Sequence, residues 1–146
     1  MSQESMVDAA RGFIEAYNGA DWQRLETGLA PDCIYDELGT GQHVEGAHEV
    51  VEYFQGWARA MPDAKGTISN IFAGDGEVAL ELTWRGTFTG PLGGQSGDIA
   101  PTGKKQVTPA AMIFKFEGDE IKESHQYFDS LALFQQLGVL PEPAQV

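Results

Sequence analysis

The hydrophobic residues of this chain change their period near residue 63, and that change constrains the fold more than any other feature. Before it, apolar residues recur every three or four positions, as in amphipathic helices. After it, they alternate with polar residues, as in half-buried strands. Helices followed by a strand meander are typical of the α+β class. We therefore predict one α+β domain over residues 1–146, with N-terminal helices packed on a strongly bent antiparallel sheet.

Three helices are predicted in the first half. The first ends at Asn18-Gly19, and Asp21 caps a second, shorter helix. A brief strand with the sequence CIYDEL follows, and then the turn GTGQHVEG. The clearest helical stripe runs from Ala47 to Met61. This half is therefore expected to be mostly helical.

The second half is predicted to form four strands and a short C-terminal helix. TISNIFA and EVALELTWRGTFT flank the turn GDG, and QVTPAAMIFKF pairs with EIKESHQYF as an antiparallel hairpin. Residues 90–104 form a glycine-rich loop that is long enough to act as a lid or rim. In the last strand we predict that the even-numbered residues, including Gln126, face the interior; a slip of one residue would turn His125 and Tyr127 there instead.

The composition limits the class of partner. The chain has 22 acidic and 9 basic residues, a formal charge of −13, which repels phosphate backbones and anionic lipid. The single cysteine, Cys33, cannot close an internal disulfide, and the sequence has neither a signal-peptide pattern nor a run of about 20 apolar residues. We expect a soluble cytoplasmic protein that binds neither nucleic acid nor membranes.

The order of elements and several phrases carry a resemblance to a known family. The phrases are AYNGADWQRL, APDCIYDELGTG, GTFTGPL, PTGKK and IKESHQYFDSLALFQQLG. Together they resemble the SnoaL-like polyketide cyclases of the nuclear transport factor 2-like superfamily. That resemblance implies a cone-shaped α+β barrel of the nuclear transport factor 2-like (cystatin-like) type. It also implies a deep apolar pocket for a small hydrophobic molecule, a homodimer, and no metal or organic cofactor.

The matched catalytic positions depart from the family pattern. Cyclases of this type use an Asp of the last strand as acid and base, supported by a His of the preceding strand. The matched positions here carry Gln126 and Met112, and neither side chain exchanges a proton near neutral pH. The related ketosteroid isomerases have a base at the position of Asp36, but their oxyanion donors correspond to Phe13 and Met112. We therefore reject a steroid isomerase.

Asp36 is the predicted catalytic base, because a carboxylate at the mouth of an apolar cone would be desolvated. Gln126 is predicted to orient the substrate, since an amide both donates and accepts hydrogen bonds. His48 and Glu52 have the spacing of a metal pair, but no third ligand is recognisable. Nine further residues are predicted to line the pocket and bind substrate: Phe13, Tyr17, Tyr35, Phe54, Trp57, Leu82, Met112, Ser124 and Phe128.

Three functions remain open. The first is a small cofactor-free enzyme that transfers a proton on a hydrophobic, polyketide-like carbonyl compound. The second is a binding protein without catalysis, which the loss of titratable groups at the matched positions favours. The third is an epoxide hydrolase or dehydratase, which would need a second carboxylate and a positioned base or arginine in the pocket.

Overall fold

The computed structural model describes residues 1–94 and 97–140, and it confirms the α+β class. Its helices are α1 (Gln3–Asn18), α2 (Trp22–Thr27), α3 (Ala47–Ala60) and α4 (Ser130–Gln136). Its strands are β1 (Leu29–Glu37), β2 (Gln42–Glu45), β3 (Lys65–Gly74), β4 (Glu77–Thr87), β5 (Leu92–Gly94), β6 (Gly97–Ile99), β7 (Lys105–Glu117) and β8 (Glu120–Phe128).

Six strands form one curled sheet in the order β2-β1-β8-β7-β4-β3. Neighbours run antiparallel except β1 and β8, which are parallel. The sheet is therefore mixed, and the expected purely antiparallel sheet is corrected at this pair. Parallel strands need a long connection, and here almost the whole chain lies between the two. A local hydrophobic period cannot show such a distant pairing.

Short polar side chains define the helix ends. Ser2 accepts a hydrogen bond from the Ser5 amide at the start of α1. The Asp21 carboxylate accepts from the amide of Arg24, as the sequence predicted for α2. Asp129 does the same for α4 through the amide of Ala132. These caps satisfy amides that have no partner within the helix.

The core lies between the helices and the inner face of the sheet. The Phe13 ring of α1 packs edge-to-face on Phe54 of α3, with ring centres 5.7 Å apart, and on Phe114 of β7 at 5.0 Å. A smaller apolar cluster joins the end of α3 to α4 and includes Met61 and Leu133. Helix α4 thus covers one end of the curled sheet.

Two predicted loops contain strands. The turn GTGQHVEG includes β2, and the long loop of residues 90–104 includes the hairpin of β5 and β6. β1 begins at Leu29, four residues earlier than the predicted strand. Within the described residues, no helix is both long and apolar enough to cross a bilayer.

Candidate functional site

A cavity opens on the inner face of the sheet, beneath α1, α3 and α4. Its volume is about 70 Å³, and with its open mouth the space is about 620 Å³. The wall is mainly aromatic and aliphatic, as in pockets for small organic ligands. The lining residues are Phe13, Tyr17, Glu37, Phe54, Trp57, Met61, Ala64, Trp84, Gln106, Thr108, Met112, Gln126, Phe128 and Leu133.

Glu37, the last residue of β1, is a buried carboxylate in this wall. Its exposed fraction is 2%. Oε2 accepts a hydrogen bond from the Tyr35 hydroxyl at 2.6 Å, and Oε1 accepts from the Tyr53 hydroxyl at 2.6 Å and the Thr40 hydroxyl at 2.7 Å. Gly41, with a φ of 75°, closes the turn that brings Thr40 back to Glu37. A buried carboxylate persists only with such partners.

The direction of these hydrogen bonds is set by Trp84. Its indole N–H can only donate, and it donates to Gln126 Oε1 at 2.7 Å. The amide oxygen of Gln126 is thereby assigned, and Gln126 Nε2 donates to the Tyr35 hydroxyl oxygen at 2.8 Å. Tyr35 must then donate its own proton to Glu37.

A second chain reaches Glu37 from α3. Trp57 Nε1 donates to the Tyr53 hydroxyl oxygen at 3.2 Å, so that the Tyr53 proton also points to Glu37. Three hydroxyl protons therefore converge on one carboxylate, an arrangement that suits its ionised, acceptor-only form. Among the described residues, no lysine or arginine lines the cavity. Hydrogen bonds, and not a countercharge, stabilise Glu37 there.

The tyrosines around Glu37 stay protonated. Burial raises the pKa of Tyr35 well above its usual value, and the negative charge of Glu37 adds to the shift. The pKa of Tyr53 is raised by the same two causes in the same order. Each phenol is therefore a permanent hydrogen-bond donor over the whole physiological pH range.

Gln126 and Met112 lie side by side on the wall. β7 and β8 pair these two residues, and Gln126 also pairs with Glu37 across the parallel strands. The inward parity of even residues in β8 is thus confirmed. His125 and Tyr127 lie on the outer face, where Tyr127 is 45% exposed. The cavity therefore contains the matched amide and thioether.

The structure brings most of the predicted pocket residues together. Six of them line the cavity: Phe13, Tyr17, Phe54, Trp57, Met112 and Phe128. Tyr35, Leu82 and Ser124 are buried as well but lie outside the lining. Tyr35 nevertheless contacts the site, because its hydroxyl donates a hydrogen bond to Glu37.

Asp36 does not lie at the cavity, and its predicted position there is corrected. Its carboxylate is on the outer face of the sheet, 32% exposed, with Oδ1 2.5 Å from His43 Nδ1. His125 Nε2 lies 3.9 Å from the other oxygen. Successive side chains of a strand point to opposite faces. Because Tyr35 faces inward, Asp36 must face outward.

His43 responds to this outer carboxylate. Its pKa is raised, first by the hydrogen bond to Asp36 and then by the one to Glu45. His48 and Glu52 form an exposed ion pair, with Nε2 and Oε1 2.9 Å apart. Within the described residues, no three His, Cys, Asp or Glu side chains are grouped to hold a metal ion.

Several site residues were missed by the sequence analysis. They are Glu37, Tyr53, Met61, Ala64, Trp84, Gln106, Thr108 and Leu133. A signal for Glu37 existed, since it shares its strand face with Cys33 and Tyr35. Trp84 shares the apolar face of β4 with Leu80 and Leu82 by alternation, but nothing in the sequence shows that its N–H reaches Gln126.

Comparison with solved structures supports the fold. IdmH from Streptomyces antibioticus, a candidate polyketide cyclase, has a TM-score of 0.74 at 24% identity, over 90% of this chain and 97% of its own. AclR from Streptomyces galilaeus, a candidate hydroxylase, has a TM-score of 0.80 at 22% identity, over 99% and 91%. An epoxide hydrolase of the LEH-like type from M. tuberculosis has a TM-score of 0.73 at 17% identity, over 92% and 90%.

Comparison with sequences gives the family. No curated protein matches the chain. The family model described as SnoaL-like polyketide cyclase matches residues 7–137. This chain therefore belongs to the SnoaL-like polyketide cyclase family.

Proposed function

We propose that the protein is a cofactor-independent enzyme that transfers a proton on a hydrophobic carbonyl compound, with Glu37 as the base. One observation carries this proposal: Glu37 is a buried carboxylate on the wall of an apolar cavity, and three hydroxyl donors hold it. A general base must be ionised and must touch the space that the substrate occupies. Glu37 lines the cavity, and its three hydroxyl donors suit a carboxylate, whereas Asp36 lies on the other face.

The reaction begins with removal of a proton from the carbon next to the substrate carbonyl. The C–H bond breaks, an O–H bond forms at Glu37, and the electron pair passes to the carbonyl oxygen as an enolate. Oε2 is the favoured acceptor, because it receives one hydrogen bond whereas Oε1 receives two. The enolate carbon then attacks a second carbonyl of the same molecule, and as the C–C bond forms the oxygen of that carbonyl takes the proton from Glu37. Alternatively, the enolate carbon takes the proton back from Glu37.

Gln126 acts in this proposal as a positioning residue. Its amide oxygen accepts from Trp84 and its amide nitrogen donates to Tyr35, so that it connects the wall to the base. The sequence suggested that Gln126 orients the substrate. In this proposal Gln126 orients the Tyr35 hydroxyl instead. Loss of the amide is expected to change the alignment of Tyr35 with Glu37.

Exchange of the protons next to a ketone carbonyl for deuterium tests whether Glu37 is the base. Proton NMR in D₂O follows exchange next to the carbonyl of cyclic ketones such as 2-tetralone. We expect the wild-type protein to accelerate exchange and Glu37→Gln to lower that acceleration by about 10²–10⁴-fold, the usual contribution of a general base. Asp36→Asn is the matched control, one residue away on the outer face, and is expected to leave the rate unchanged. Wild-type rates in Glu37→Gln, or no exchange with any ketone, would contradict the proposal.

A binding protein without catalysis is the second candidate. It is favoured by the observation that the Glu37 oxygens already accept three hydrogen bonds, and by Met112 at the matched position of the catalytic His. Native mass spectrometry of freshly purified protein separates the two candidates. A retained ligand together with absent exchange would identify a binding protein.

An epoxide hydrolase is less well supported. That chemistry would need a second carboxylate or an arginine beside Glu37, and the described lining holds one carboxylate and no arginine. Arg85, which follows the lining residue Trp84 in β4, is exposed. The homodimer and the cytoplasmic location implied by the sequence stay predictions.

A further inference from the structure

We infer that the cavity prefers an organic cation, so that the substrate carries a substituted ammonium group beside its reacting carbonyl. The binding part of this inference stands on the charges and rings of the wall. Its catalytic part rests on the proposed function of Glu37. The two parts can fail separately.

The charge balance of the cavity favours a cation. Glu37 is buried, and its three donors are neutral hydroxyls. All nine lysines and arginines of the chain fall within the described residues, and none lines the cavity. The net charge of −13 makes the surrounding potential still more negative. A cation that enters would give the ionised carboxylate the countercharge that the protein does not supply.

The wall is also built from aromatic rings, which attract cations through their negatively polarised faces. Tyr17 packs on Trp84 with ring centres 5.0 Å apart and an interplanar angle of 71°. It also packs on Phe54 at 6.1 Å and 82°. These steep angles show that the rings pack edge-to-face and not as a flat stack. Trp57 adds a further ring to the same lining.

A cationic group on the substrate would also stabilise the negative charge of the enolate, for which the wall offers no lysine or arginine in its described lining. When Glu37 takes the proton, its negative charge passes to the enolate oxygen. No lysine or arginine in the described lining faces that oxygen, and Phe13 and Met112 occupy the positions expected for donors. An ammonium group on the substrate would lie near the Glu37 carboxylate before the transfer and near the enolate oxygen after it. The positive charge of the ammonium group balances one negative charge in each state, so that the total charge in the cavity stays at zero. The same balance disfavours substrates that carry a carboxylate or phosphate.

A pair of ligands that differ in charge alone tests the preference. Choline and 3,3-dimethylbutan-1-ol have the same shape, but a quaternary nitrogen in the first replaces a carbon atom in the second. By isothermal titration calorimetry we expect the wild-type protein to bind choline at least about tenfold more tightly. In Glu37→Gln the preference is expected to fall to the smaller part that the aromatic rings contribute, and in Asp36→Asn it is expected to stay at the wild-type size.

Several results would overturn the inference. They are equal binding of the two ligands, tighter binding of the alcohol, no binding of either, or a preference that is as large in Glu37→Gln as in the wild-type protein. Circular dichroism checks that the variant is folded, and if it is not, the wild-type comparison alone decides. Proton–deuterium exchange on a neutral ketone such as 2-tetralone separates the cation preference from the proposed catalytic role of Glu37. A choline preference without exchange leaves the cation site and removes the proposed function, whereas exchange without the preference does the reverse.

Discussion

At the scale of the residue, the direction of the hydrogen bonds explains how a carboxylate survives in an apolar wall. Two tryptophan N–H groups, which cannot accept, point each tyrosine proton at Glu37. An apolar wall without these hydroxyls would have left Glu37 unpaired, and an unpaired buried charge is very unfavourable. The tryptophans therefore act on Glu37 without contacting it.

Removing one of these donors is expected to destabilise the protein. In Tyr53→Phe the Oε1 atom keeps the Thr40 hydroxyl alone, and Trp57 loses its acceptor. Because hydrogen bonds to charged groups contribute about 1.5–3 kcal/mol, we expect a loss of that size in the free energy of unfolding. Urea denaturation measures it.

Tyr127→Phe is the control for this experiment. It removes the same hydroxyl from an exposed site on the outer face, where a change below about 0.5 kcal/mol is expected. Equal effects of the two substitutions would show that the Tyr53 bond to Glu37 contributes nothing to stability.

At the scale of the element, sequence periodicity predicts those helices and hairpins whose formation depends on residues close together in the chain. The stripes of α1 and α3, the cap of Asp21 and the hairpin of β7 and β8 follow from their own residues and are confirmed. The parallel pairing of β1 with β8 joins residues such as Tyr35 and Ser124, and no local pattern announces it. Edge elements such as β2 are missed because their polar sequence is also that of a turn.

The base of the site was misplaced by one residue within β1. Tyr35 and Asp36 were both predicted to face the cavity, but adjacent side chains of a strand point to opposite faces of the sheet. The burial of Cys33, Tyr35 and Glu37 against the partial exposure of Asp36 settles the parity. The network around Glu37 could not be predicted at all, because Tyr53, Trp57 and Trp84 come from distant segments.

Cys33 provides a probe of this strand. It is the only cysteine, it is 1% exposed, and burial together with the charge of Asp32 raises its pKa to about 11. Because β1 lies between β2 and β8, a reagent reaches the thiol only when the strand opens. We expect the reaction with Ellman's reagent at about pH 8 to be at least about 10²-fold slower in the native protein than in urea. Comparable rates would show that β1 is not held in the sheet.

At the scale of the whole molecule, charge acts on stability and on binding at once. The excess of acidic over basic residues causes repulsion at the surface, and the same excess makes the cavity attractive to cations. The surface term depends on distance through water and is screened by salt. The cavity term involves a buried carboxylate, which salt screens much less. The two contributions can therefore be measured apart.

Thermal unfolding in two salts makes that separation. Raising sodium chloride from about 0.01 M to about 1 M shortens the Debye length from about 30 Å to about 3 Å, so that surface repulsion weakens and Tm is expected to rise. Choline chloride at the same ionic strength screens equally, but binding to the native state adds a stabilisation that grows with ligand concentration. We expect a higher Tm in choline chloride for the wild-type protein and for Asp36→Asn, and a smaller difference between the two salts for Glu37→Gln. A Tm that falls with sodium chloride would mean that surface ion pairs outweigh repulsion. A choline effect of undiminished size in Glu37→Gln would mean that the bound cation does not pair with Glu37.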